Sequence, residues 1–284
     1  MAAAFAAMAV PEIRGNTIES NTITSATGEG GGMFSSNNYK VGEDDYAYGD
    51  GSYPPLITGN KFINNDGKDH GGAIALENSE ICPLIANNLF VGNHVAGTGG
   101  GAINALGATP YIVNNTFVGN RAYMRNGYGS GGAILLKPAS YQKIFNNIFR
   151  DNYAEIHGQS IYDEATGTNP QYIRFCDAWN NEGPNSDLAH YARADGNVIS
   201  GLDTASCLHA DPKFVTFDPY YHLALDSPCI DKGINRDGYY LGYLYDKVPI
   251  TDFDGYGRPV DILGITNYGD EAYCDLGAYE VQEP

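Results

Sequence analysis

Positive charge is scarce in this chain: 16 Lys and Arg stand against 34 Asp and Glu in 284 residues, a formal net charge of −18. A phosphate backbone is held by clustered Lys and Arg, so the balance argues against a nucleic-acid partner and equally against an anionic membrane surface. No apolar run approaches the roughly 20 residues that a spanning helix needs. Cysteine is sparse too, and the five present form no C-x-x-C pair and no metal-ligand spacing. The first ten residues, Met1 to Val10, are Ala-rich with no basic residue ahead of them, a poor secretory signal. They read as a leader outside the domain, or as a short plug at its end. Charged residues make up only 18% of the chain, and the 36 Gly and 22 Tyr suit an all-β domain with many turns.

What is abundant is a repeated phrase. Asn-x-(Phe/Ile)-x-x-Asn begins at Asn16, Asn60, Asn88, Asn115 and Asn147, in steps of 44, 28, 27 and 32 residues. Each copy is followed by a Gly-rich phrase: Gly30-Gly31-Gly32-Met33, Gly71-Gly72-Ala73-Ile74, Gly100-Gly101-Ala102-Ile103, Gly131-Gly132-Ala133-Ile134 and a degraded Gly158-Gln159-Ser160-Ile161. A period of this length predicts a solenoid whose coils are two or three short strands joined by turns and stacked in parallel. Equivalent residues then sit about 4.8 Å apart. Phe62, Phe90, Phe117 and Phe149 should form one interior column, and Ile74, Ile103, Ile134 and Ile161 another. Asn65, Asn93, Asn120 and Asn152 should form an amide ladder that satisfies the buried turn carbonyls.

The coils run from Pro11 to about Gly201, and a tail with its own vocabulary follows from 202 to 284, the whole of 11–284 being one domain. A solenoid needs an atypical element over its open edge, so the tail reads as an irregular C-terminal cap. Cys82 falls where neighbouring coils carry Thr109 and Tyr141 and reads as a small buried filler. Cys176, Cys207, Cys229 and Cys274 lie in the irregular half, where two disulfides would fit a secreted protein.

The N-x-F-x-x-N and G-G-A-I coils resemble the repeats of right-handed parallel β-helix proteins of the pectate-lyase superfamily. The tail, with Ser227-Pro228-Cys229-Ile230-Asp231, Asp252-Phe253-Asp254-Gly255-Tyr256-Gly257-Arg258 and Asp275-Leu276-Gly277-Ala278-Tyr279-Glu280, is similar to the ending of bacterial secreted β-helix proteins. The resemblance implies fold rather than activity, since the superfamily holds lyases, hydrolases, epimerases, adhesins and sugar-binding modules. Members usually open with an amphipathic helix and further coils. This chain enters mid-repeat, which suggests a module tethered to a catalytic domain.

Candidate site residues lie where the repeat leaves positions unspecified. Taking each Ile as inward, period-2 alternation puts Ala75, Asn104, Leu135 and Tyr162 in one outward column and Glu77, Leu106, Lys137 and Glu164 in the next. Glu77 and Glu164 are three coils apart, roughly 14 Å, too far for a glycosidase pair that needs about 5 to 9.5 Å. Lys137 and Glu164, about 5 Å apart on adjacent coils, suggest a surface ion pair. For a lyase, Lys137, Arg121 or Arg125 would be the base, and Ca²⁺ would be held by Asp44, Asp45 and Asp50 or by Asp66 and Asp69. His94 and Arg121 begin adjacent turns and could act together as base and charge neutraliser. Two insertions interrupt the period, and both are rich in Tyr. Tyr46, Tyr48, Tyr53, Tyr123, Tyr128, Tyr153 and Tyr162 lie in insertions or at outward positions and offer flat faces with a polar hydroxyl, which suit pyranose rings.

These features point first to a non-catalytic, secreted, monomeric module that binds an extended plant cell-wall polysaccharide, xylan for preference, because so acidic a chain has few cations for a polyuronate. A Ca²⁺-dependent polysaccharide lyase is the second expectation, and an adhesin or structural stalk the third.

Overall fold

The computed structural model of the chain describes residues 12–24, 30–36, 56–77, 83–123, 125, 127, 129–137, 142–164, 172–181, 191–193, 206–234, 250–258, 260 and 274–282. Residues 1–10, Tyr46, Tyr48, Tyr53, Tyr128, Asp44, Asp45, Asp50 and Cys82 lie outside the described residues.

The described chain is an all-β parallel solenoid with no helix. One coil shows its path: Leu84–Ala86, Leu89–Val91, His94–Val95 and Ile103–Leu106 lie in the first, second, third and fourth sheets. The first, second and fourth sheets are 6-stranded and the third is 4-stranded. A coil therefore has four strands, where the sequence reading expected two or three. The third is two residues long, too short for alternation to reveal it in the sequence.

The corners explain the recurring dipeptides. Between the first and second sheets, Gly59, Asn87, Asn114 and Asn146 have φ of 63, 52, 52 and 56°. Between the second and third, Asn64, Gly92, Gly119 and Asp151 have φ of 51, 61, 65 and 56°. Gly, Asn and Asp enter this left-handed region more readily than other residues. The Asn that follows each turns inward and joins a ladder. Asn93 Nδ2 donates to Asn120 Oδ1 at 3.0 Å and to the Phe62 carbonyl at 2.8 Å, and its backbone N–H reaches the same Asn120 oxygen at 3.1 Å. The pattern repeats from Asn65 to Asn93 and from Asn120 to Asn152 and Asn181. A second ladder, Asn60 to Asn88 to Asn115 to Asn147, lines the other corner.

Between the ladders, the rings of Phe62, Phe90, Phe117 and Phe149 stack at centroid spacings of 4.9, 4.7 and 4.9 Å. Ile74, Ile103, Ile134 and Ile161 are in register and fully buried. The Gly pairs allow coils to approach: a Cβ on Gly101 would stand 2.0 Å from the Gly132 carbonyl oxygen, and one on Gly132 would stand 2.1 Å from that of Gln159.

After the coils, Leu208 pairs in parallel with Asp177, and Cys207 enters the core. The tail then runs back along the corner between the first and second sheets. The left-handed corner asparagines hold it: Asn146 Nδ2 donates to the Ile234 carbonyl at 2.9 Å, Asn114 Nδ2 to Asp275 at 3.1 Å and Asn87 Nδ2 to Thr251 at 2.6 Å. The outer column of the second sheet, Leu89, Thr116, Ile148 and Asp177, is buried. The Ala278 N–H donates to Thr116 Oγ1 within that column.

The tail motifs are internal brackets. Arg258 and Glu280, both fully buried, pair at 3.0 Å, while Asp275 accepts the N–H groups of Asp231 at 2.9 Å and Val281 at 2.6 Å. All four described cysteines are buried thiols, so the two bridges expected from the sequence are not formed in this structure.

Candidate functional site

The third sheet carries acidic, basic and aromatic side chains together. Its strands, Asp66–Gly67, His94–Val95, Arg121–Ala122 and Tyr153–Ala154, turn Gly67, Val95, Ala122 and Ala154 inward. The first residue of each therefore faces out, and register places Asp66, His94, Arg121 and Tyr153 in one row along the solenoid axis. Tyr123 and Glu155 continue the outward alternation one step on, each tied by its backbone N–H to the coil before, Tyr123 to Val95 and Glu155 to Ala122.

The aromatic groups of this flank meet. Tyr123 and Tyr153 have ring centroids 6.0 Å apart with planes tilted by 46°, and the His94 ring meets Tyr123 edge-on at 6.3 Å. The Arg121 guanidinium lies 5.8 Å from the centre of the Tyr153 ring, and among the described residues no carboxylate forms an ion pair with it. Partial burial, then Glu155 and the Tyr123 hydroxyl, raise the Tyr153 pKa, against the pull of Arg121. The Tyr153 hydroxyl therefore stays protonated and can donate as well as accept.

Asp66 and Asp69 each face a protein side chain instead of standing open. Asp66 Oδ1 is 3.3 Å from His94 Nε2, and Asp69 Oδ1 is 3.3 Å from Arg125 Nη1. Among the described residues no group of three His, Cys, Asp or Glu side chains is arranged to hold a metal ion.

The fourth sheet corrects one expectation. Its register is the one read from the sequence, but Ala75, Asn104 and Leu135 are buried, and Asn104 is 0% exposed, so it cannot reach a polymer at the surface. Both amide atoms of Asn104 lack a hydrogen-bond partner. Unpaired buried polar groups cost about 1–3 kcal/mol, so Asn104→Leu is expected to raise stability by roughly 1 kcal/mol in denaturant unfolding. A loss of stability would show that the amide is needed.

The rest of that face is half-buried. Glu77 Oε1 is 3.3 Å from His70 Nδ1, and burial followed by nearby Lys137 lowers the His70 pKa despite Glu77 and Asp69. Burial raises the Glu164 pKa against the pull of Lys137. Tyr162 stacks on His157 at 5.8 Å and does not join Tyr123 and Tyr153. The lyase candidates do not converge either: Arg121 lies against Tyr153, Arg125 pairs with Asp69, and Lys137, expected to pair with Glu164, forms no ion pair with it and acts on Glu164 and His70 only through its charge.

A second polar cluster, in the tail, escaped the sequence reading because its members come from segments far apart in the chain. His222 bridges Asp218 and Asp254, its Nε2 lying 2.8 Å from Asp254, with the Tyr279 ring 4.1 Å away. Lys61 Nζ lies 3.6 Å over the Tyr220 ring beside it. Burial pulls the His222 pKa down, but the bonds to Asp254 and Asp218 outweigh it and raise the net value. Among the described residues its contacts join the tail to itself and to the second sheet, which gives it a fastening role. Comparison with protein families, with curated proteins and with solved structures finds no match for the chain.

Proposed function

We propose that this chain is a non-catalytic module that binds an extended, neutral or weakly acidic polysaccharide, xylan for preference, along the third sheet, as part of a larger secreted carbohydrate-active protein. The observation that carries the reading is the Tyr123–Tyr153 pair, set 6.0 Å apart on adjacent coils with Arg121 and His94 in the row beside it. Aromatic faces bury the C–H faces of pyranose rings, while phenol and guanidinium groups bond the hydroxyls. A polymer laid along the solenoid axis meets a new strand about every 4.8 Å, so an extended chain is the shape that uses the row fully. Affinity gel electrophoresis against a polysaccharide panel tests the proposal. Retardation by xylan is expected, and unchanged mobility in every polymer would overturn it.

A further inference from the structure

We infer that Cys176 and Cys207 are the disulfide-forming pair of this chain, a cross-link that fastens the last rung of the solenoid to the coil before it. Asp177 and Leu208 form a parallel bridge, with the Leu208 N–H donating to the Cys176 carbonyl at 2.7 Å and the Ala178 N–H to Leu208 at 3.1 Å. The residues one step earlier, Cys176 and Cys207, are therefore neighbours across the ladder. Both belong to the interior cluster, 0% and 8% exposed, so both thiols point into the same core. Parallel ladder neighbours have Cα atoms about 4.8 Å apart, inside the roughly 4.4–6.8 Å that a disulfide spans. With side chains spaced like the strands, about 4.8 Å apart, their Cβ atoms must close by roughly 1 Å to the usual disulfide separation of about 3.8 Å, which a rung held by a single bridge can accommodate. Burial first, and then a hydrogen bond with Cys207, raise the pKa of the Cys176 thiol, as expected of two sulfurs already in reach.

The Cys176 thiol also donates to the Arg174 carbonyl at 3.3 Å, and the other two described thiols lie against different groups. Cys229 Sγ lies 3.6 Å from Asp177 Oδ2, and Cys274 Sγ donates to the Ile234 carbonyl at 3.4 Å and accepts from Asn146 Nδ2 at 3.2 Å. The oxidant is a small-molecule disulfide such as oxidised glutathione. One cysteine thiolate attacks a glutathione sulfur and expels one glutathione thiolate. The second cysteine thiolate then attacks the protein sulfur of the mixed disulfide and expels the other. Two glutathiones leave reduced, each taking up one of the two protons lost by the cysteines. Because both thiols are enclosed once the rung closes, the exchange takes place during folding.

The test refolds the full chain from denaturant in a glutathione redox buffer, alkylates remaining thiols under denaturing conditions and maps peptides by mass spectrometry. Two of the five cysteines should be protected and joined as Cys176–Cys207. The thermal midpoint should rise by several degrees, reversibly with dithiothreitol, and the Cys229→Ser/Cys274→Ser variant should behave alike. Five alkylated cysteines, or a link that includes Cys82, Cys229 or Cys274, would overturn the assignment.

Discussion

Asn120→Ala is expected to cost the fold about 4 kcal/mol, seen as a lower denaturant midpoint. The Asn120 Oδ1 accepts both the Asn93 backbone N–H and an Asn93 Nδ2 proton, at 3.1 and 3.0 Å, in a corner with no exposure to water. Removing it orphans two buried donors, each worth about 1–3 kcal/mol, and leaves Phe90 O without the Asn120 amide that now reaches it. Asn120→Asp keeps the accepting oxygen but aims a second one at the Phe90 carbonyl and at Asn152 Oδ1. A buried charge results, so this variant should be the worse of the two near neutral pH and should recover partly in acid as the carboxyl gains a proton to donate. Asn16, an exposed member of the other ladder, donates to Asn60 Oδ1 and accepts no ladder bond among the described residues. Asn16→Ala should cost less than about 1 kcal/mol. Equal losses at the two positions would contradict the ladder's role.

Stability should fall as pH rises from about 4 to above 7. Burial pushes the Asp177 carboxyl up to about 7, against hydrogen bonds from Ala210 N–H and Cys229 Sγ. Its folded pKa exceeds its unfolded one, so the native chain keeps a proton that the unfolded chain releases. The contribution is complete below the unfolded value near 3.8 and lost as pH passes 7. A shift of about three units corresponds to about 4 kcal/mol. Burial also raises Asp275 and Glu280, the latter against Arg258, so both act with the same sign. His222 agrees: its raised pKa makes its share present below about 6.5 and lost above the folded value. The thermal midpoint should be higher at pH 5 than at pH 8, and Asp177→Asn should flatten the slope. A midpoint that rises from pH 5 to 8 would refute this reading.

The Phe, Ile and Asn65 columns were legible because in-register stacking turns a fixed period into vertical neighbours, and nothing else in the chain is needed to place them. The ladder of Asn60, Asn88, Asn115 and Asn147 was harder to see, since each follows a left-handed Gly or Asn and the pair reads simply as a turn. Asn104 failed for a different reason. Alternation along Ile103–Leu106 fixes which way a side chain points, not whether that face is covered. The path of the tail was not legible either. Asn87, Asn114 and Asn146 meet partners 164, 161 and 88 residues away, and no local pattern encodes such contacts. Of the candidate site, Tyr123 and Tyr153 were named as tyrosines of insertions or outward positions, and Arg121 from the start of a turn. Their convergence required the four-sheet coil that the sequence reading did not foresee.

The most direct test of the account is a calorimetric titration with xylan oligosaccharides of the wild-type chain, a Tyr153→Ala variant and a Tyr123→Ala/Tyr153→Ala variant, each checked for an unchanged β-sheet circular dichroism spectrum. The account predicts binding by the wild type, roughly tenfold weaker binding on loss of Tyr153 and none detectable on loss of both rings. Wild-type affinity in the double variant would contradict it.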